Sequence, residues 1–277
     1  MTDITPLSDT LARLAAAYAA QPQVTAVVCA GSRSMELADS ASDTDIYVYV
    51  TAPLPIEARA DIARGTRVEF DNRFFEPGDE WLDASGRHFD VMFRETRWLE
   101  DQLDRMLVRH EAWVGYSTAF WHNVRASRIL FDRDGWFAAQ WARAQAAYPE
   151  PLRRAIVAKN QPLLAANLSS YLHQIELAIA RDDPVSANHR TAAFLASLFD
   201  ILFALNRVPH PGEKRLLEHA QRLCPLRPPN LGTDVRAMIA AAGLADATTL
   251  EHGQRLAEAI DELLRAEGLP PSAARGG

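Results

Sequence analysis

Two β-prone runs joined by a Gly-Ser pair and an Asp-x-Asp constrain this chain more than any other feature. Thr25-Ala26-Val27-Val28-Cys29-Ala30 is apolar and rich in β-branched residues, the pattern of a buried strand. Gly31 follows, where the backbone can turn sharply or approach a ligand closely, and Ser32 stands next to it. Asp43-Thr44-Asp45-Ile46-Tyr47-Val48-Tyr49-Val50 reads as a second strand. Its period of two puts Asp43 and Asp45 on one face and Thr44, Ile46, Val48 and Val50 on the other.

Two carboxylates on one strand face repel each other, and a purely structural strand gains nothing from that. A divalent cation removes the repulsion: Mg²⁺ takes oxygen ligands and favours carboxylates together with substrate phosphates. Two such ions roughly 4 Å apart activate an attacking oxygen and stabilise a leaving one. The glycine turn upstream offers backbone N–H groups and the Ser32 hydroxyl to a phosphate.

Gly-Ser, a spacer, then Asp-x-Asp at the start of a strand resembles the nucleotidyltransferase superfamily, which includes DNA polymerase β and the aminoglycoside nucleotidyltransferases. The resemblance runs from Val24 to about Phe93. It implies a third acidic residue on a neighbouring strand. Arg87-His88-Phe89-Asp90-Val91-Met92-Phe93 is strand-like after the turn signal Ala84-Ser85-Gly86, and Asp90 is the favoured third acid. An Asp inside an apolar strand is costly unless it meets a metal or a cation. Glu69 or Asp71, in Arg67-Val68-Glu69-Phe70-Asp71, is the alternative, and a salt bridge from Asp90 to Arg87 or Arg94 is the bland one. In superfamily terms Asp43, Asp45 and Asp90 are catalytic and ligate two Mg²⁺ ions. Gly31 and Ser32 hold the phosphates of ATP or another NTP. Asp90 or Glu69 serves as general base, a choice the sequence leaves open.

The 277 residues suffice for two modest domains, and 48% hydrophobic content supports real cores. There is no apolar run of about 18 residues, so no membrane span is expected. Met1-Thr2-Asp3-Ile4-Thr5-Pro6 has no basic start and no apolar stretch, unlike a signal peptide. With only Cys29 and Cys224, no disulfide is expected and a cytoplasmic location fits. The net charge of −7 disfavours nucleic acid as the main partner, since phosphate contacts need basic surface. The eight histidines show no zinc-ligand spacing.

The expected architecture is α/β (α+β): a small mixed-sheet nucleotidyltransferase domain over 1–135, an all-helical domain over 136–268, and a disordered tail over 269–277. Helices are expected at Ser8–Ala20, Ser34–Ala41, Ile56–Ala63 and Arg97–Trp113, with a loop over 71–86 and a strand from Ile129 ending in a turn at Gly135. Beyond Gly135 the expected helices are Trp136–Ala147, Pro151–Asn167, Ser169–Arg181, Pro184–Asn206, Lys214–Cys224, Asp234–Ala241 and Leu250–Glu267. They are separated by Pro-rich breaks, and Pro162 falls inside one of them. A helical second domain resembles the small-molecule nucleotidyltransferases acting on kanamycin, streptomycin or lincosamides. The whole chain is similar to the bacterial nucleotidyltransferase-like group described as DUF4037.

Lys159 and Lys214 are the only lysines among 29 basic residues. In the related antibiotic enzymes a lysine of the helical domain reaches the triphosphate. The resemblance puts Lys214, after a Pro/Gly loop, first for that role and Lys159 second. His173 and Glu176 share a helix with Tyr171, where a solvated role is the default. Arg105 and His110 match a loose ribonuclease-like Arg-x4-His, better read as a basic helix face. The acidic stretch 76–83 is a candidate for attracting a polycationic acceptor. The expected activity is Mg²⁺-dependent transfer of a nucleoside monophosphate, AMP from ATP, to a hydroxyl of a small molecule, in a monomer or homodimer. The alternatives are a catalytically silent nucleotide-binding regulatory module and an enzyme modifying a protein or tRNA.

Overall fold

In the computed structural model, residues 7–30, 44–63, 65–74 and 76–269 are described. Gly31, Ser32, Asp43 and the helix expected over 34–41 lie outside the described residues. The fold is mixed α/β, with two compact units. One comprises residues 1–103 and 123–146, the other 104–122 and 147–277.

The first unit is built on a six-stranded sheet of order β3-β4-β5-β2-β1-β6. Its strands are β1 Val24–Cys29, β2 Thr44–Val50, β3 Thr66–Asn72, β4 Gly78–Leu82, β5 His88–Glu95 and β6 Arg128–Asp132. β2 and β5 pair in parallel, and the other neighbours are antiparallel. Helix α1, Leu7–Ala19, lays Leu11, Leu14 and Tyr18 on one stripe, all buried. They join Val24, Val27, Cys29, Ile46, Val48, Phe89 and Val91 in one core. Those strand residues are the apolar half of the alternation read from the sequence. The opposite face of β2 carries Asp45, Tyr47 and Tyr49.

The stretch 76–83, expected as an acidic loop, contains β4, and its acids are internally paired. Asp79, buried, meets Arg59 of α2 (Ile56–Ala60) at 2.6 Å. Glu76 pairs with Arg94, Asp83 with Arg87, and Glu80 with His88. Strand pairing on both sides overrides the polar composition here. That composition follows from a charged residue on each face, which hides a strand's alternation. Helix α4, Ala119–Ala126, went unforeseen because only Trp121 and Val124 give its short span a buried face.

The second unit is helical apart from loops and turns. Helix α3 (Thr96–Leu107) enters it, and α5 (Trp136–Ala144) belongs to the first. Helices α6 Glu150–Gln161, α7 Tyr171–Ala180, α8 Pro184–Leu205, α9 Leu216–Leu223, α10 Leu231–Ala242 and α11 Thr248–Ala266 enclose a common apolar core. Asp183 caps α8 through the Ser186 N–H, and Pro184 opens it where the missing N–H costs nothing. From Ser197 to Leu205 every residue of α8 is buried, so this helix is the centre of the unit. Pro162 ends α6, and the chain continues through one π-helical turn, Pro162–Ala166, closed by Asn167 N–H to the Pro162 carbonyl. Leu269 is buried in this core. Among the described residues, no helix is long and apolar enough to cross a membrane.

Candidate functional site

The β2–β5 register sets Asp45 directly opposite Asp90 on the same sheet face. The β4–β5 register sets Glu80 opposite Asp90, and β3–β4 pairing sets Glu69 opposite Glu80. Four acids thus stand in a row across adjacent strands, spaced by the roughly 4.8 Å interstrand distance. Asp90 is the member beside the Asp-x-Asp strand. Glu69 is two strands further out, and Asp71 is engaged by Arg73 and Arg59. Among the described residues, the ion pairs of Arg87 and Arg94 are with Asp83 and Glu76.

The electrostatics follow from this row. Partial burial raises the Asp90 pKa to about 6, the neighbouring Glu80 and Asp45 charges push the same way, and His88 opposes them. Ala30, next to Gly31 in the sequence, donates its N–H to the Asp45 carbonyl at 3.0 Å.

Aromatic and cationic groups close the rest of this face. The Arg94 guanidinium lies 3.9 Å from the Tyr47 ring centroid and forks onto Glu76 at 2.8 and 2.9 Å. The Tyr47 hydroxyl accepts from Asn123 at 3.0 Å. Tyr49 packs on Trp136 and Phe137 of α5. Burial there raises the Tyr49 pKa to about 12. The face is plugged from Tyr47 onward and leaves its acidic end half-buried. Glu80 and Arg94 were missed as members of this surroundings because their positions depend on register, which no local pattern reports.

The donor set suits a hard cation: carboxylate oxygens, at a place where burial and like charges disfavour ionised Asp90. Among the described residues no group of three His, Cys, Asp or Glu side chains stands close enough to hold a metal. Asp45 and Asp90 are the carboxylates of the Asp-x-Asp pattern and its third acid that are described; Asp43 lies outside the described residues.

The lysines belong to the second unit. Lys159 is exposed on α6, and Lys214 is exposed in the turn before α9, which begins at Leu216 rather than at Lys214. A recess of about 1440 Å³ is also in that unit. It contains His173 and Glu176, paired at 3.2 Å on the exposed face of α7. An i,i+3 side-chain contact on a helix accounts for both residues.

A different acid anchors the second unit. Asp200 of α8 accepts from the Ser117 N–H at 3.0 Å and the Ser117 hydroxyl at 2.7 Å. Burial raises its pKa to about 7 against those hydrogen bonds and the nearby Arg105 charge.

Residues 113–216 match the family described as Domain of unknown function (DUF4037). The matched segment contains Ser117, Asp200, Lys159 and Lys214, and it lies outside the Asp45–Asp90 row. No curated protein is significantly similar to the chain. Among solved structures, the chain is similar to a nucleotidyltransferase-like protein from Exiguobacterium sibiricum 255-15. That likeness has 12% identity and a TM-score of 0.43, covering 95% of this chain and 76% of that one. It is also similar to the CD-NTase CdnG of Bradyrhizobium diazoefficiens, solved in complex with GTP. There the identity is 11% and the TM-score 0.26, covering 96% and 99%. At these scores neither superposition bears on activity.

Proposed function

We propose that the protein is a nucleotidyltransferase that moves a nucleoside monophosphate, AMP from ATP, onto a hydroxyl of a small molecule. The observation that carries the reading is the in-register Asp45–Asp90 pair on adjacent parallel strands, with Asp90 raised to about 6. It supports the superfamily pattern read from Gly31, Ser32, Asp43 and Asp45. In the reaction the acceptor oxygen bonds to the α-phosphorus, the bond to the β-phosphate oxygen breaks, and pyrophosphate leaves. The hydroxyl proton passes to a base, for which Asp90 and Glu69 are the candidates.

Asp43, Asp45 and Asp90 would hold two Mg²⁺ ions. When bound, these neutralise phosphate charge and lower the pKa of the attacking hydroxyl. Gly31 and Ser32 would orient the β and γ phosphates by backbone N–H groups and a hydroxyl. Lys214, with Lys159 as the second choice, is the lysine that the resemblance offers for the triphosphate; both belong to the second unit. The contacts of Tyr47 with Arg94 and Asn123 would help to hold the strand that carries Asp45 in place as charge develops.

Calorimetry with ATP·Mg²⁺ tests the reading, with pyrophosphate release followed across aminoglycosides and other small alcohols. Metal-dependent binding lost in Asp45→Asn and Asp90→Asn, with release triggered by one acceptor class, supports it. Wild-type turnover in either variant sinks it. Binding without release for any acceptor would favour a silent regulatory module.

A further inference from the structure

A second site is built into the segment that precedes α4. Residues 111–118 form a loop gripped from below by buried groups. Asn160 donates to the Trp113 carbonyl at 2.9 Å and accepts from the Gly115 N–H at 3.0 Å. Asp200 holds Ser117, and the Ser117 hydroxyl oxygen accepts from the Trp113 N–H at 2.8 Å. Arg105 donates to the carbonyls of Glu111 and Ser117 at 2.7 and 2.8 Å. Thr118 Oγ1 accepts from the His210 N–H at 2.8 Å.

The loop holds one strained residue, Tyr116 with φ 55°. Gly115, at φ 75°, is relaxed as glycine, and Ala196 lies 3.1 Å from where a Cβ would stand, so the position admits no side chain without a shift. Strain of this kind persists only where the surroundings over-determine it, and it gathers at ligand sites.

What the grip holds in place is an aromatic surface. Trp113 is 38% exposed and Val114 49%. Trp113 and Phe120 meet edge to face at 6.1 Å and 89°. With Tyr116 and the exposed carboxylate of Glu213 they line a recess of about 620 Å³. Arg105 lies 3.8 Å from the Trp113 ring centroid and donates to the two carbonyls, so a ligand must approach from the side of the rings that faces the recess.

The geometry points to a binding site for a small organic cation, an ammonium group seated among Trp113, Tyr116 and Phe120 with Glu213 as counter-charge. Aromatic faces attract a cation through the ring quadrupole, best when water is displaced. The carboxylate on the rim is the charged group among the described residues lining the recess, and it adds Coulomb attraction for a cation and disfavours an anion there. A neutral apolar ligand would gain only burial and would desolvate Glu213 without return. The site lies wholly within the second unit and does not rest on the nucleotidyl-transfer reading.

The test titrates the full chain, without nucleotide, with choline and with its neutral isostere 3,3-dimethyl-1-butanol, read by tryptophan fluorescence and calorimetry. Choline is expected to bind about tenfold tighter than the alcohol. Glu213→Gln, an exposed change, is expected to erase most of that difference while leaving the melting temperature alone. Phe120→Leu is expected to weaken choline about fivefold. Equal binding of choline and the alcohol, no binding of choline, or unchanged preference in Glu213→Gln each overturns the proposal.

Discussion

Asp90 and Asp200 are both acids pushed well above the ordinary carboxylate range by burial, yet their surroundings differ in kind. Asp200 sits deep in the helical unit, with donors supplied by Ser117 and Asn160. Asp90 is half-buried at the open end of a sheet face, beside Asp45 and Glu80, whose charges raise it further. The first acid is satisfied by the fold, so its role is to hold a loop. The second is opposed by its neighbours, which is the feature on which the proposed cation site rests. A third acid, Asp79, shows the remaining solution, a guanidinium brought to it by α2. Local residue type is the same in all three, and the partners decide the role.

The sharpest way to break the comparison is to neutralise the row. Asp45→Asn and Asp90→Asn should each lower nucleotidyl transfer by about 10³-fold or more, measured as pyrophosphate release. Neither should unfold the protein. Above pH 6, Asp90→Asn should raise the urea midpoint, because a carboxyl with a raised folded pKa costs stability once ionised. A lower midpoint would make Asp90 structural, like Asp200.

Next in size is Arg59→Met. It strands Asp79 without its cation and should cost about 3 kcal/mol in urea unfolding. The double change Arg59→Met with Asp79→Leu should recover most of that loss. Ser117→Ala should cost about 1–2 kcal/mol, since it removes the hydroxyl donor from a buried acceptor. It should also weaken choline binding if the loop grip shapes the recess.

The smallest effect expected is in pH dependence, where two buried groups of the helical unit act in opposite senses. Asp200, raised to about 7, binds its proton more tightly folded than unfolded. Stability from this group is therefore greatest at low pH and declines as pH rises from about 4 to 7. His210, lowered to about 3 by burial, is protonated first in the unfolded chain, so its effect declines as pH falls from about 6.5 to 3. Urea midpoints across pH should show a shallow optimum, and Asp200→Asn should flatten its upper side only. A midpoint that keeps falling toward pH 7 in the variant would assign that slope to another group.

Much of the fold was legible because it rests on local periodicity. The alternation at Thr44, Ile46, Val48 and Val50 anticipated the buried face of β2. The i, i+3, i+7 stripe of Leu11, Leu14 and Tyr18 anticipated α1. Pro162 and the Pro-rich breaks punctuated the helices because a missing N–H interrupts a helix wherever it occurs. β4 was illegible, since Asp79 faces the core and is made tolerable there by Arg59, twenty residues earlier, and by the Asp71 N–H of the neighbouring strand. The loop-holding role of Asp200 was equally hidden, its partner Ser117 lying 83 residues away.

By itself the sequence determined which residues alternate, where helices stop, and that Asp43, Asp45 and Asp90 sit in strand-like runs. Only the tertiary structure decided that Asp90, rather than Glu69 or Asp71, stands beside Asp45, and that Glu80 extends the row. Periodicity is a property of consecutive residues, whereas register is set by strands distant in sequence pairing through the backbone, where a slip of one residue sends each side chain to the other face.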